Sequence, residues 1–479
     1  MKYNVLIGLE MHCEMISNRK VFSTSKNSYS IEPNVYVSPI DLALPGTLPI
    51  VNIECVKKAL KMALALGCST PKYFYFERKN YYYPDLPKGY QITQETKPIP
   101  AGIYGSVNYL CNGEVKTVRI NNIHLEEDSA NLTHEDNRTL INYNRCGVPL
   151  LELVTEPDMH TSEEAVSFLE SIRRIYRYLD ISEADTKKGQ IRCDVNISIM
   201  DKDLDINNPD NYGTRVEIKN VNSFSGVKNA IEYEIKRQIE MKENGTYSSL
   251  EQETRRWDEE SGTTIFMRDK KNAIDYKYFV DPNIPKFKVE DSLINEIKSS
   301  IEELPLSRYN RYLNLGILPK NASILIKEKD ISDYFDKCLD LGINLSNLTN
   351  FFITNILGFL NQTESSIKDL FITPEYLKEI LDEVDNGNIS SKIAKDIFNK
   401  SIKDKKEPIH YFEDSKQISN EDELLTIIDS ILSNNEDNIT AYKNGKTNLF
   451  QFFVGQVMKE TKGKANPELV RDILNKKLN

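Results

Sequence analysis

The chain has 479 residues, 39% hydrophobic and 28% charged, which describes folded protein and, at roughly two to four domains, more than one ordinary core. A net charge of −11 argues against a general polyanion binder, although a local basic patch can still meet RNA. No apolar run approaches the roughly 20 residues of a membrane helix, no Cys-x-x-Cys pair suggests structural zinc, and seven cysteines, an odd number, do not read as a disulfide framework.

The first predicted element is a strand over residues 5–14. Val5, Ile7, Leu9 and Met11 alternate with Glu10, His12 and Glu14, so the polar three share one face. Two carboxylates around an imidazole on a half-buried strand need a cation, a substrate or open water beside them. A helix follows from about 52 to 66 and stops at Gly67. The run from Arg78 to Gln91 holds tyrosines, prolines and fixed cations. It suits either stacking of a base and holding of an anion, or a rigid surface loop.

Strand-like alternation returns at 116–123 and leads into the acids Glu126, Glu127 and Asp128, and Glu152 stands in a further apolar run. A capping box at Thr161-Ser162-Glu163-Glu164 opens a helix with Ala165, Phe168, Leu169, Ile172, Ile175, Tyr176 and Leu179 on one face. Residues 191–199 alternate again, with Arg192, Asp194, Asn196 and Ser198 on the polar side. Arg215, Glu217 and Lys219 alternate in a neighbouring run. A third helix is predicted at 225–242, ending at Asn244-Gly245.

The breaker cluster at 281–285 marks an expected domain edge, beyond which the pattern turns helical. A second edge is expected in the charged run 403–408. The expected domains are therefore 1–285, 290–403 and 406–479. The stretch 446–479 carries seven lysines or arginines (446, 459, 462, 464, 471, 476, 477) against three acids (460, 468, 472). Phe450, Phe453, Val454, Val457 and Met458 fall at helical spacing there and read as core before they read as an RNA platform.

Carboxylates with a single imidazole suit Mg²⁺ or Mn²⁺ better than Zn²⁺, because hard cations prefer oxygen ligands. The competing reading is ordinary ion pairing, including pairing of these acids with Arg145, Arg192 and Lys219. There is no phosphate-binding Gly-rich loop: Thr440–Thr447 has threonine where the first glycine must stand. There is no Gly-x-Ser-x-Gly or Gly-x-Cys-x-Gly nucleophile elbow either.

Seven segments then occur in order: V-L-I-G-L-E-M-H-C-E, A-L-P-G-T-L-P-I-V-N, R-K-N-Y-Y-Y-P-D-L-P-K-G-Y-Q-I-T-Q, H-L-E-E-D-S-A, N-R-C-G-V-P-L-L-E-L-V-T-E-P-D, R-C-D-V-N-I-S and E-I-K-N-V-N-S-F. Together they resemble the B subunit of the bacterial glutamyl-tRNA(Gln)/aspartyl-tRNA(Asn) amidotransferase, over the whole chain. The resemblance implies an α+β protein: a cradle-shaped, kinase-like N-terminal domain, an all-α domain and a small helical tail that contacts tRNA. It implies ATP and Mg²⁺ as cofactors, and a heterotrimer with a glutaminase partner (the family's A subunit) and a small partner (its C subunit). The misacylated substrates would be Glu-tRNA(Gln) and Asp-tRNA(Asn). By resemblance the metal ligands are Glu10, His12, Glu127 and Glu152, and Lys88 and Glu127 lie at the mouth of an ammonia channel. Lys79, Glu127, Arg192 and Asp194 are expected in catalysis, and Lys459, Lys462 and Lys464 on tRNA. One departure is Ser129, where the family usually has alanine. A cytoplasmic protein with no membrane partner is expected. A non-catalytic tRNA scaffold and a stand-alone ATP-dependent amide ligase are the alternative readings. ATP hydrolysis stimulated by misacylated tRNA would speak against the scaffold, and dependence on the two partner proteins against the stand-alone ligase.

Overall fold

The computed structural model describes residues 2–221, 223–269, 275–412, 421–461 and 464–478. Two compact units, Met1–Asn310 and Arg311–Asn479, divide the chain. The first is mixed α and β, the second is helical, and together they make an α+β protein.

The first unit is organised by an eight-stranded sheet. Its strands are β1 (Tyr3–Glu14), β2 (Gly102–Cys111), β3 (Glu114–Glu127), β4 (Pro149–Thr155), β5 (Ile191–Asp201), β6 (Val216–Val221), β7 (Glu253–Asp258) and β8 (Thr263–Asp269). They lie in the order β8-β7-β6-β5-β1-β4-β3-β2. All neighbours are antiparallel except β6 and β7. β1 is therefore an interior strand, hydrogen-bonded on both sides.

Three helices cover one face of this sheet: α1 (Ile53–Ala65), α2 (Ser162–Tyr178) and α3 (Phe224–Glu243). Each starts on a side-chain cap that satisfies a free backbone N–H: Asn52 accepts from Glu54 N at 3.0 Å, Thr161 from Glu164 N at 3.1 Å and Ser223 from Gly226 N at 2.9 Å. The apolar stripe read from the sequence, from Ala165 to Tyr176, is buried against the sheet. Val5, Ile7, Leu9, Met11 and Cys13 face these helices in the core. That leaves the other face of β1 free for polar side chains.

The turn at 281–285 lies inside the first unit rather than at its edge. Asp281 is buried and accepts from Arg78 Nε at 2.7 Å. Ile284, Val289 and Ile297 join the N-terminal core, and Phe287 stacks on Phe74 with ring centroids 5.6 Å apart. The apolar residues after the breaker cluster continue the same core, so the division falls after Asn310.

In the second unit three of the last four helices, Glu421–Ser433, Leu449–Glu460 and Pro467–Leu478, share their own apolar cluster, which includes Leu424, Ile428, Phe453, Val457, Val470 and Leu474. Phe450 and Met458 pack against it, so most of the tail's apolar stripe is core. Among the described residues no helix is long and apolar enough to cross a membrane.

Candidate active site

Strand alternation puts Glu10, His12 and Glu14 on the face of β1 opposite α1–α3. The antiparallel register then decides their neighbours. Glu10 stands opposite Asp194, and His12 opposite Arg192 on one side and Glu152 on the other. Glu152 stands opposite His124. On β6, Glu217 stands opposite Asn196; directly opposed residues point to the same face, so five adjacent strands deliver polar side chains to one place.

Two triads result. In the first, His12 Nε2 lies 3.0 Å from Glu152 Oε2 and 3.5 Å from Glu126 Oε1. His124 backs it, with Nε2 3.0 Å from the same Glu152 oxygen. In the second, Glu10, Asp194 and Glu217 each offer an oxygen, and the offered ligand atoms of either triad lie within 4.8 Å of one another. Lys219 Nζ approaches Asp194 at 2.6 Å and Glu217 at 3.0 Å, and Asn196 Nδ2 donates to Glu10 Oε1 at 2.8 Å.

The electrostatics are those of a crowded acidic site. Burial opposes protonation of His12, but Glu152 and Glu126 overcome it and push the imidazole up to about 9. Burial likewise opposes the ionised form of Glu152, yet His124 and His12 hold its carboxyl well below the usual range. Burial and then Glu152 push Glu126 up, and the same two causes raise Glu10.

Glu127 does not join this group. It follows Glu126 on β3, so its side chain leaves the opposite face of the strand. There it is buried, ion-paired with Lys88, and accepts from Ile92 N at 2.9 Å. Of the ligands expected as Glu10, His12, Glu127 and Glu152, the structure groups His12 and Glu152 with Glu126, places Glu10 in the second triad and leaves Glu127 in neither. The resemblance put both Lys88 and Glu127 at the mouth of an ammonia channel; in the structure the two form an ion pair.

Lys79 lies beside the first triad without bonding to it. It pairs with Glu95 at 2.9 Å and its ammonium sits 5.0 Å from the ring centre of Tyr276. Burial opposes its charge, while Glu95 and then Glu126 and Glu152 raise its affinity for a proton. Arg192 donates to Asp128 Oδ2 at 2.6 Å, and Arg145 Nε stands 3.1 Å from the same oxygen. Asp128 and, more weakly, Glu14 keep Arg192 charged. Ser129, where alanine was usual, donates its hydroxyl to Asp85 Oδ2 at 2.9 Å and ties the tyrosine-rich loop to the end of β3.

A cavity of about 280 Å³ opens over the triads, lined by His12, Glu126, Asp194, Lys219 and Arg192 among others. A second cavity, of about 880 Å³, shares Arg192 and reaches to Glu14, Asn131, Asn144 and Arg145. Burial and Asp128 push the Glu14 carboxyl up to about 7, against Arg192 and Arg145. In the tail, Lys459 is exposed and Lys464 half-buried, while Lys462 lies outside the described residues.

The ligand set drawn from the resemblance omits Glu126 and Glu217, and also Asp194, which was expected in catalysis; His124, which backs the first triad, was not singled out. The signal for Glu126, His124 and Glu217 was the alternation His124-Leu125-Glu126 and Arg215-Val216-Glu217. In each case the partner strand had to be known before the alternation could be used.

Residues 5–295 match the GatB/GatE catalytic domain, and residues 333–478 match the GatB domain. The chain is 40% identical to the B subunit of the aspartyl/glutamyl-tRNA(Asn/Gln) amidotransferase of Persephonella marina, over all of both chains. It is 41% identical to that of Thermoanaerobacter pseudethanolicus over all of both chains, and 41% identical to that of Bdellovibrio bacteriovorus over 99% of each. Two sheet-borne acidic triads in a domain that matches the catalytic domain, and full-length identity near 40%, lead to one conclusion: the chain belongs to the family of aspartyl/glutamyl-tRNA(Asn/Gln) amidotransferase B subunits.

Proposed function

We propose that this chain uses ATP to activate the side-chain carboxylate of Glu-tRNA(Gln) or Asp-tRNA(Asn), and that ammonia then converts it to the amide. The observation that carries this reading is the pair of triads, His12/Glu126/Glu152 and Glu10/Asp194/Glu217, beside one cavity on one face of the sheet. The finer description of the N-terminal unit as a kinase-like cradle belongs to the same reading.

The donor sets fit hard divalent cations: five carboxylates and one imidazole, with ligand atoms grouped within 4.8 Å and carboxyl groups strained by mutual repulsion. Mg²⁺, or Mn²⁺, held by these residues would neutralise the phosphates of ATP and the substrate carboxylate so that the two can approach. The remaining work falls to the chain. Lys219 and Arg192 line the cavity and supply fixed positive charge toward a transferring phosphoryl group. Lys79 adds positive potential from beside the first triad.

The substrate carboxylate oxygen attacks the γ-phosphorus and ADP leaves. Ammonia next attacks the acyl carbon, the C–O bond to phosphate breaks, and the nitrogen gives up a proton as the amide forms. A carboxylate does not undergo this displacement without such activation. The acyl phosphate is prone to hydrolysis, so exclusion of water by the bound substrate would favour amination.

In this reading Lys88 and Glu127, paired on the far side of β3, stand where ammonia enters from a glutaminase partner, with a small third protein completing the heterotrimer. Glutamine hydrolysis is assigned to the glutaminase partner, because this sequence has no nucleophile elbow. Lys459, Lys462 and Lys464 of the tail contact the tRNA backbone. The test is amide formation on both misacylated tRNAs with free ammonium as nitrogen donor, with and without the partner proteins. Transfer of ¹⁸O from the substrate carboxylate to phosphate is expected. An amide product without such transfer would refute the acyl phosphate.

A further inference from the structure

Glu14 is the third polar residue of β1's open face and belongs to neither triad. It lines the larger cavity, of about 880 Å³, rather than the smaller one over the triads. Two acids line that larger cavity. Glu183 pairs with Lys188 at 3.1 Å. Glu14 has no hydrogen bond or ion pair from its carboxylate to any described residue, because Asp128 takes both nearby guanidinium groups, Arg192 at 2.6 Å and Arg145 at 3.1 Å. An unpaired carboxylate on a cavity wall is held only by water until a cationic group pairs with it.

The spacing says what that ligand group is. Glu14 follows His12 by two residues on a strand, so its Cα lies about 7 Å further along the same face at a rise of about 3.4 Å per residue. Arg192 lines both cavities. A glutamyl or aspartyl group spans about 4–5 Å from its α-nitrogen to its side-chain carboxylate carbon, given carbon–carbon bonds of about 1.5 Å. With the reacting carboxylate over the first triad, the cationic α-ammonium of the aminoacyl ester falls within hydrogen-bonding reach of Glu14. The ester-linked nucleoside then has the rest of the larger cavity, whose wall includes the amide side chains of Asn27, Asn131, Asn142, Asn144 and Gln190.

We propose that Glu14 is a specificity-determining residue that receives the α-ammonium of the aminoacyl group, and so holds the single free side-chain carboxylate of the substrate over the triads. The inference rests on the proposed function above. It explains how a site built to hold a carboxylate selects an amino-acid side chain: a dicarboxylic acid without an α-amino group lacks the ammonium at this distance.

The test uses the complete complex with its partner proteins, ATP and free ammonium. Two substrates are compared: Glu-tRNA(Gln), and the same tRNA after nitrous-acid deamination, which replaces the α-ammonium by a neutral hydroxyl of similar size. The wild-type complex is expected to lose about 10- to 100-fold in kcat/KM on the deaminated substrate, the range for a hydrogen bond to a charged group. Glu14→Gln is expected to lose a similar factor on the unmodified substrate, mainly through KM, and little more on the deaminated one. Glu14→Asp should recover part of the loss. Equal use of both substrates by the wild-type complex would overturn the proposal without any variant, and so would losses that multiply in the combined case. Failure of the wild-type complex to amidate the unmodified substrate would remove the parent reading, and this inference with it.

Discussion

His12 and Glu152 stand opposite each other in the β1–β4 register, with Nε2 3.0 Å from Oε2, and this contact sets the charge state of the first triad. Glu152 and Glu126 raise the imidazole to about 9 against the effect of burial. A protonated imidazole has no lone pair for a metal, so metal binding must release its proton. Affinity for Mg²⁺ or Mn²⁺ is expected to rise between pH 7 and 9, with release of about one proton per ion at the first triad. Calorimetry in buffers of different ionisation enthalpy measures this directly. Affinity independent of pH over that range would remove His12 as a ligand. The sign for stability is opposite. In metal-free protein the raised pKa contributes stability that is full below the ordinary value of 6.5 and is lost as pH rises through about 9.

Glu126 and Glu127 are adjacent in sequence but are expected to fail differently. Glu126→Gln removes a carboxylate from the first triad, and metal affinity should fall by about 10-fold or more, since even supporting partners of a metal site cost that much. Glu127→Gln should leave metal affinity within a small factor of wild type. It strips Lys88 of its buried partner, at a cost of about 3–5 kcal/mol in stability. Manganese titration followed by electron paramagnetic resonance, paired with thermal unfolding, separates the two. Reversed results would mean that β3 presents its other face to the site.

The long segment between β1 and α1 is pinned by a second buried pair. Lys20 Nζ lies 3.5 Å from Asp41 Oδ2, and Asp41 also accepts from Ser38 N at 2.8 Å. Both side chains are essentially buried. Lys20→Ala leaves Asp41 without its cation and should cost about 3 kcal/mol or more. Replacing both, as Lys20→Met with Asp41→Asn, should cost less than the single change. A double change worse than the single one in chemical denaturation would contradict this account.

In the tail, charge reversal at Lys459, Lys462 and Lys464 should weaken tRNA binding and flatten its dependence on salt, because each lost phosphate contact removes about one released counterion. Filter binding across a salt series reads both quantities. An unchanged slope would take these lysines out of the tRNA interface.

Much of the site was legible in the sequence because strand alternation is a local property. Glu10, His12 and Glu14 had to share a face whatever their neighbours were, and the run from Arg192 to Ser198 obeyed the same rule. The helix over Ala165–Tyr176 was legible for a similar reason: its cap and its apolar stripe both lie within 18 residues of chain. The edge expected at 281–285 was misplaced because turn residues mark a reversal of the chain without saying which core the following apolar residues rejoin. Ile284, Val289 and Ile297 rejoined the first.

The choice between Glu126 and Glu127 was of another kind. One of the two had to face His12, but the local pattern offered both. Sequence by itself settled which side chains travel together along each strand, since that follows from backbone geometry two residues at a time. Only the folded sheet decided which strands lie side by side and in which register, because hydrogen bonds between residues more than a hundred positions apart, such as those joining β1 to β4 and β5, are set by how the whole core packs. The two acidic triads exist at that second level.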